Sequence, residues 1–276
     1  MKLLRSEFLK IRTTNAWWLF GLGALIMLAL TFLANAVTAY YALTDSAPTD
    51  MSAEDAAAFE ATQDVVYQAA NLYTSGQFFG LLFVLLLGIV VITSEFQHQT
   101  ATTTFLTTPH RTSVILAKLA AAALAGAGYW LVTTALNLPA TIIFLNSQDF
   151  SNQLGEWSVI RSILLNLLAY VLWGILGVGF GVLIRSQIGA TVTAVVLYLL
   201  GTFAGSLFFT LFANWIGQDW FQDLQFGLPS IASGLMVSGT NVPGQPVFWV
   251  GAVVLLGWTL VTGTIGTLIT RTRDIS

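Results

Sequence analysis

Six long apolar runs constrain this chain more than any other feature: 17–42, 77–93, 114–138, 163–184, 188–213 and 247–270. Each approaches the roughly 20 apolar residues that a helix needs to cross a hydrocarbon core about 30 Å thick. In such a core the backbone N–H and C=O groups of a single run must bond within that run, which selects helices. Of 276 residues only 8% are charged and 56% are hydrophobic. A water-facing domain carries about a quarter charged residues, so this composition excludes one. The expectation is an all-α integral membrane protein of six transmembrane helices, forming a single transmembrane domain over 1–276.

The charges are segregated. In a six-span arrangement Lys2, Arg5, Lys10, Arg12, Arg111, Lys118, Arg185, Arg271 and Arg273 fall on one side, and Arg161 falls on the other. The acids do the reverse, with Glu7, Glu95 and Asp274 on the basic side. Excess Lys and Arg mark cytoplasmic loops. Both termini and the connector between the second and third spans are therefore expected in the cytoplasm.

Residues 1–15 place Leu3, Leu4, Phe8 and Ile11 at helical spacing opposite the basic side chains. This fits an amphipathic elbow helix in the membrane surface, with Trp17 and Trp18 at headgroup level. The sequence Ala34-Asn35-Ala36 looks like a signal-peptide cleavage site. The apolar run before it exceeds the roughly 7–15 residues of a signal core, so a retained span is expected. Residues 43–76 hold six acids and no Lys or Arg, and are read as an external loop. Within it Ser52 starts a helix whose apolar face is Phe59, Val66 and Tyr73, placed to pack on the spans. Residues 214–246 form a second external loop. Its stretch LPSIASGLMVSG is apolar but too short to span, as in a re-entrant or interfacial segment. Small residues open the third span, AKLAAAALAGAG, and Gly177 and Gly181 form a GxxxG pair in the fourth; both patterns permit close helix packing. Pro139 marks a kink or the outer end of the third span.

Several chemistries have no residues to carry them. There is no cysteine, which excludes disulfides, thiolate metal sites and a Cys nucleophile, and both histidines lie in one loop. No HExxH, GxSxG or phosphate-binding glycine loop occurs. No catalytic, cofactor-binding or metal-ligating residues are assigned. The middles of the spans hold no carboxylate to relay protons or sodium. Their polar groups, among them Asn35, Thr133, Asn137, Asn166, Thr202 and Ser206, are of the kind that bond to a neighbouring helix or to their own backbone.

The polar connector 94–112 contains SEFQHQTATTTFL and then Pro109 and Arg111. A helix starting near Ser94 puts Phe96, Thr100 and Thr103 on one side, with Glu95 favourably placed at the positive end of its dipole and Pro109 ending the element. The residues alone also fit an interfacial loop in which Glu95 pairs with Arg111 or Lys118.

The stretch SEFQHQTATTTFLTTPHRTSVILAKLAAA resembles the connector between the second and third spans of type-2 ABC exporter permeases. There an acidic residue ends the second span, followed by a Gly-Thr pair, a TxP-x-R step and a Lys opening the third span. The matching residues are Glu95, Thr100, Thr108-Pro109, Arg111 and Lys118, with Gln99 in place of the usual glycine. SEFLKIRTTNAWW is similar to the family's elbow helix, and Leu228 to Ser230 to its external segment. The resemblance implies a bacterial plasma-membrane complex of two permeases, identical or homologous, with two separate ABC ATPase subunits that hold ATP and Mg. The ATPases would grip the coupling residues Glu95, Phe96, His98, Thr100, Thr103 and Arg111. A cavity at the dimer axis would be lined by Phe79, Phe83, Thr202, Phe203, Ser206 and Phe209. Such a lining suits a lipophilic or amphipathic substrate, whether drug, antibiotic, peptide or lipid; the same Phe side chains could equally face membrane lipid. Nucleic acid is not an expected partner. A second reading is a membrane-anchoring or signalling component that binds an ATPase-like partner without transport. A third, an autonomous ion-coupled carrier, is disfavoured by the lack of intramembrane carboxylates.

Overall fold

The computed structural model describes residues 2–44, 52–97, 111–184, 186–218 and 220–272, and among these there are helices and turns but no strand. An amphipathic helix α1 (Lys2–Thr13) leads through a tight turn into α2 (Ala16–Thr44). Two short helices follow, α3 (Ala53–Gln63) and α4 (Val65–Tyr73), then α5 (Gln77–Gln97). Long helices α6 (Arg111–Ser147), α7 (Trp157–Leu183) and α8 (Gln187–Ile216) come next. Short α9 (Trp220–Asp223), a 3₁₀ turn (Leu224–Gly227) and α10 (Pro229–Met236) precede α11 (Phe248–Thr272). Among the described residues, six helical stretches are long and apolar enough to span a membrane.

α5 is the axis of the bundle. Its Leu81, Val84, Leu85 and Ile89 are buried with Tyr170, Trp173 and Leu176 of α7 and Tyr198 of α8. Lipid tails are as apolar as these side chains, so close packing rather than escape from water holds such helices together. The glycines make that packing possible. A Cβ on Gly88 would lie 2.4 Å from the Gly174 carbonyl oxygen, and one on Gly177 would lie 2.3 Å from that of Leu85. The GxxxG pair in the fourth span is thus the contact face toward α5. The small residues opening the third span act likewise: Ala121 and Ala122 are buried, and a Cβ on Gly126 would meet the Tyr170 carbonyl at 2.4 Å.

The second span differs from the expected 77–93. The apolar helical stretch runs from Val65 to Glu95, interrupted at Thr74–Gly76. The break puts unpaired backbone among apolar helices, and the intramembrane asparagines serve it. Asn137 Nδ2 donates to the carbonyls of Tyr73 (3.3 Å) and Ser75 (2.8 Å), and Asn35 Nδ2 donates to Ser75 Oγ (2.9 Å). Gly76 takes φ +79 there, with the Leu28 backbone against it. The single external helix read around residues 52–73 is therefore two helices. Asp64 stops the first and caps the second, its Oδ1 accepting from Val66 N at 2.8 Å. Tyr73 is buried with Leu145 and Val159 as part of the bundle.

α6 continues through Pro139 to Ser147. Its 37 residues amount to about 55 Å of helix, longer than the hydrocarbon core, so it projects beyond it. The apolar stretch before the last span forms α10, whose Ala232, Ser233, Leu235 and Met236 are buried. A Cβ on Gly251 of α11 would lie 2.2 Å from the Ala232 carbonyl oxygen. Arg161 holds the following loop by donating to the carbonyls of Ser238 and Gly239, both at 3.2 Å.

Candidate functional site

At the end of the bundle carrying the basic residues, four charged side chains from three helices form a ring. Lys10 Nζ lies 2.7 Å from Glu7 Oε1 and 2.6 Å from Glu95 Oε1. Lys118 Nζ lies 2.7 Å from Glu7 Oε2 and 2.8 Å from Glu95 Oε1. Each lysine thus bridges both glutamates. Glu7, Glu95 and Lys118 are buried, and Lys10 closes the ring from the surface. The two positive and two negative charges cancel, which is what makes burial of ions tolerable at all.

Each helix contributes for a local reason. In α1, Glu7 sits in register with Leu4 and Ile11, which pack on Leu87, Val91 and Val182. The inner face of the elbow is therefore apolar with one carboxylate set into it, while Phe8 and Leu9 are exposed. Lys10 and Arg12 lie in the last turn, where the negative end of the helix dipole favours cations. Lys118 lies two turns into α6, and also donates to the Val91 carbonyl at 3.4 Å.

Glu95 lies in the last turns of α5, and this changes the expectation for the coupling stretch. Helix α5 runs unbroken to Gln97, so no separate helix begins at Ser94. Glu95 sits near the negative end of a dipole, which disfavours a carboxylate. The two lysine ammoniums compensate it. Its pairing with Lys118 is the one that the interfacial-loop reading offered. Phe96 belongs to the last turn of α5 and Arg111 opens α6. His98, Thr100 and Thr103 lie outside the described residues. The ring therefore brackets the connector on both sides.

Burial opposes the charge on Lys10, but its hydrogen bonds to Glu7 and Glu95 outweigh this and hold its ammonium above the ordinary lysine value of 10.5. Glu7 was absent from the coupling residues read from the sequence. A signal for it existed: one acid among four basic residues, in phase with the apolar face of the elbow.

The six residues expected to line a pathway do not share one face. The Phe83 ring turns to α2, where a Cβ on Gly23 would lie 2.6 Å from it, and packs 6.1 Å from Phe20. Phe79 stands edge-on to Phe78 at 5.1 Å. Thr202 bonds the Tyr198 carbonyl and Ser230 Oγ, and Ser206 Oγ donates to Gln225 Oε1 at 2.9 Å. Phe209 lies 5.6 Å from Phe221. These three thus turn toward the segment before the last span. Phe203 is 66% exposed on the outside of α8. The aromatic that joins the second and fifth spans is Phe78, 5.0 Å from Tyr198 and 6.0 Å from Phe203.

A search of curated proteins finds no match. The family model described as "ABC-2 family transporter protein" matches residues 3–205, from the elbow through the first four spans and into the fifth. That stretch includes all four members of the ion ring. With six candidate spans, an elbow helix clasped to the ends of the second and third, and a family match over more than half its length, this chain belongs to the ABC-2 transporter family as a multi-pass permease subunit of an ABC transporter.

Proposed function

We propose that the chain is the permease subunit of an ATP-driven exporter in a bacterial plasma membrane, paired with a second permease and powered by separate ATPase subunits. The family itself implies the ATPase partner. The observation that carries the reading is the ion ring of Glu7, Lys10, Glu95 and Lys118. It ties the elbow, the end of the second span and the start of the third into one unit flanking the connector 98–110. A soluble motor that pushes this connector moves all three together. Packed helices transmit such a displacement because their interfaces have discrete arrangements rather than continuous give. ATP and Mg belong to the partner, since this sequence has no nucleotide-binding glycine loop. The substrate is lipophilic or amphipathic, in keeping with the aromatic and hydroxyl groups where the fifth span meets the outer segment.

The test is purification from the native membrane in mild detergent, followed by reconstitution. One ATPase subunit per permease is expected, with nucleotide-dependent flux of a lipophilic compound. The variant Glu95→Gln with His98→Ala is expected to hydrolyse ATP without flux. Recovery of this chain alone, or normal flux in that variant, overturns the reading.

A further inference from the structure

A second feature of the same end of the molecule is a groove of about 740 Å³ between the elbow, the start of α2 and the middle of α6. Its volume is within the roughly 300–1,000 Å³ of pockets that enclose small ligands. Leu22 and Leu25 line it from α2 and Leu124 and Val132 from α6. The two helices stand apart here instead of closing up as α5 and α7 do. Small residues leave the space: a Cβ on Gly128 would meet nothing within 4 Å, and one on Gly21 would meet only the Tyr129 hydroxyl, at 3.7 Å. That hydroxyl donates to the Trp17 carbonyl at 2.6 Å.

Arg12 is the one charged residue in a lining that is otherwise apolar but for the hydroxyls of Tyr129 and Thr133. Arg12 is exposed and makes no ion pair among the described residues, unlike Lys10 two residues earlier. Trp17 and Trp18, also in the lining, are exposed beside it. Tryptophan beside a basic residue at a helix end marks headgroup depth. The groove therefore offers a cation at headgroup level and an apolar slot running toward the membrane centre. The side that carries the basic residues is the one whose leaflet is rich in anionic lipid.

We infer that this groove is a site for one anionic phospholipid of the cytoplasmic leaflet. The phosphate headgroup lies against the Arg12 guanidinium, and an acyl chain lies between α2 and α6 over Gly21 and Gly128. Arginine suits this role because its planar donor fork matches phosphate oxygens. The lipid fills the gap under the elbow on the face away from the ion ring, so that both faces of α1 are held.

The chain in nanodiscs of phosphatidylcholine tests this directly. Acyl-brominated phosphatidylglycerol, or acyl-brominated phosphatidylcholine at the same mole fraction, is titrated in and tryptophan fluorescence is read. The share due to the groove is the difference from the Trp17→Phe/Trp18→Phe variant. The anionic lipid is expected to quench that share with about five-fold higher apparent affinity, the factor corresponding to about 1 kcal/mol for one basic residue at an anionic surface. Arg12→Gln is expected to equalise the two lipids. Gly128→Leu, whose first side-chain carbon meets nothing within 4 Å, projects into the slot and is expected to reduce quenching by both. Both variants should keep the helix content and elution volume of the parent. Equal quenching by the two lipids in the parent chain overturns the proposal, as does a headgroup preference that survives Arg12→Gln. Unchanged quenching in Gly128→Leu assigns the signal to ordinary surrounding lipid. Protection of the parent from both lipids shows that protein covers the groove; either result also overturns it.

Discussion

Lys118 is the residue on which the basic end of the bundle turns. It is fully buried and faces two carboxylates. Removing one member of a buried ion group leaves uncompensated charge and typically costs about 3–5 kcal/mol. Lys118→Met should therefore lower the thermal midpoint in detergent sharply. Lys118→Met with Glu95→Leu leaves Glu7 and Lys10 as a balanced pair and should recover part of the loss. If the double variant is no more stable than the single, the ring is not acting as a charge-balanced unit. Lys10 gives a pH prediction. Its ammonium is favoured by folding, so that contribution is fully present below 10.5 and is lost as pH rises through the elevated folded value. Cleavage within the elbow by an alkali-stable subtilisin should stay slow at neutral pH and accelerate only in that alkaline range, as the elbow detaches. Half of this ring was legible in the sequence. Glu95 and Lys118 stand out as charges at the ends of apolar runs. Glu7 reads as part of a solvated basic tail until its register with Leu4 and Ile11 is noticed, and nothing in the one-dimensional pattern says that the elbow folds back onto the second span.

At the level of helices, apolar runs show which segments cross a membrane better than they show where helices end. The periodicity of 77–93 is indistinguishable from that of a simple span. The interruption at Thr74–Gly76 is satisfied by asparagines 40 and 62 residues away along the chain, and only the fold brings them there. The glycines are different, because small residues at helical spacing predict close approach whatever their partner. Gly177→Leu should separate α7 from α5, since the first side-chain carbon already collides with the Leu85 carbonyl. Loss of monodisperse elution from a size-exclusion column is the expected readout. Asn137→Leu should destabilise by about 1–3 kcal/mol by leaving the Tyr73 and Ser75 carbonyls unpaired in an apolar setting. A thermal midpoint equal to that of the parent would show that water or another donor takes over those carbonyls.

Across the whole molecule, sidedness can be tested independently of function. The ion ring joins the elbow to one end of the bundle, and Arg161 and Asp64 lie at the other. A cysteine replacing the exposed Glu60, which leaves the Asp64 cap intact, should react with an impermeant thiol reagent added outside, and one replacing Gln99 should not. The reverse pattern would invert the topology. The distribution of buried surface carries the last prediction. α5 is largely enclosed by its own chain, whereas the apolar windows of α2 and α8 are only 11% and 6% buried. α8 exposes Phe203, Leu207, Leu211 and Trp215 along its length. Such a face is covered either by lipid or by a second permease. A bulky residue at Gly201 distinguishes the two. A Cβ there meets nothing of its own chain within 4 Å, so Gly201→Trp should leave the thermal midpoint of the subunit unchanged. If a second permease packs on α8, the same substitution should halve the particle mass measured by light scattering and abolish flux. If mass and flux stay as in the parent, no second permease packs on α8 and its aromatic groups face lipid.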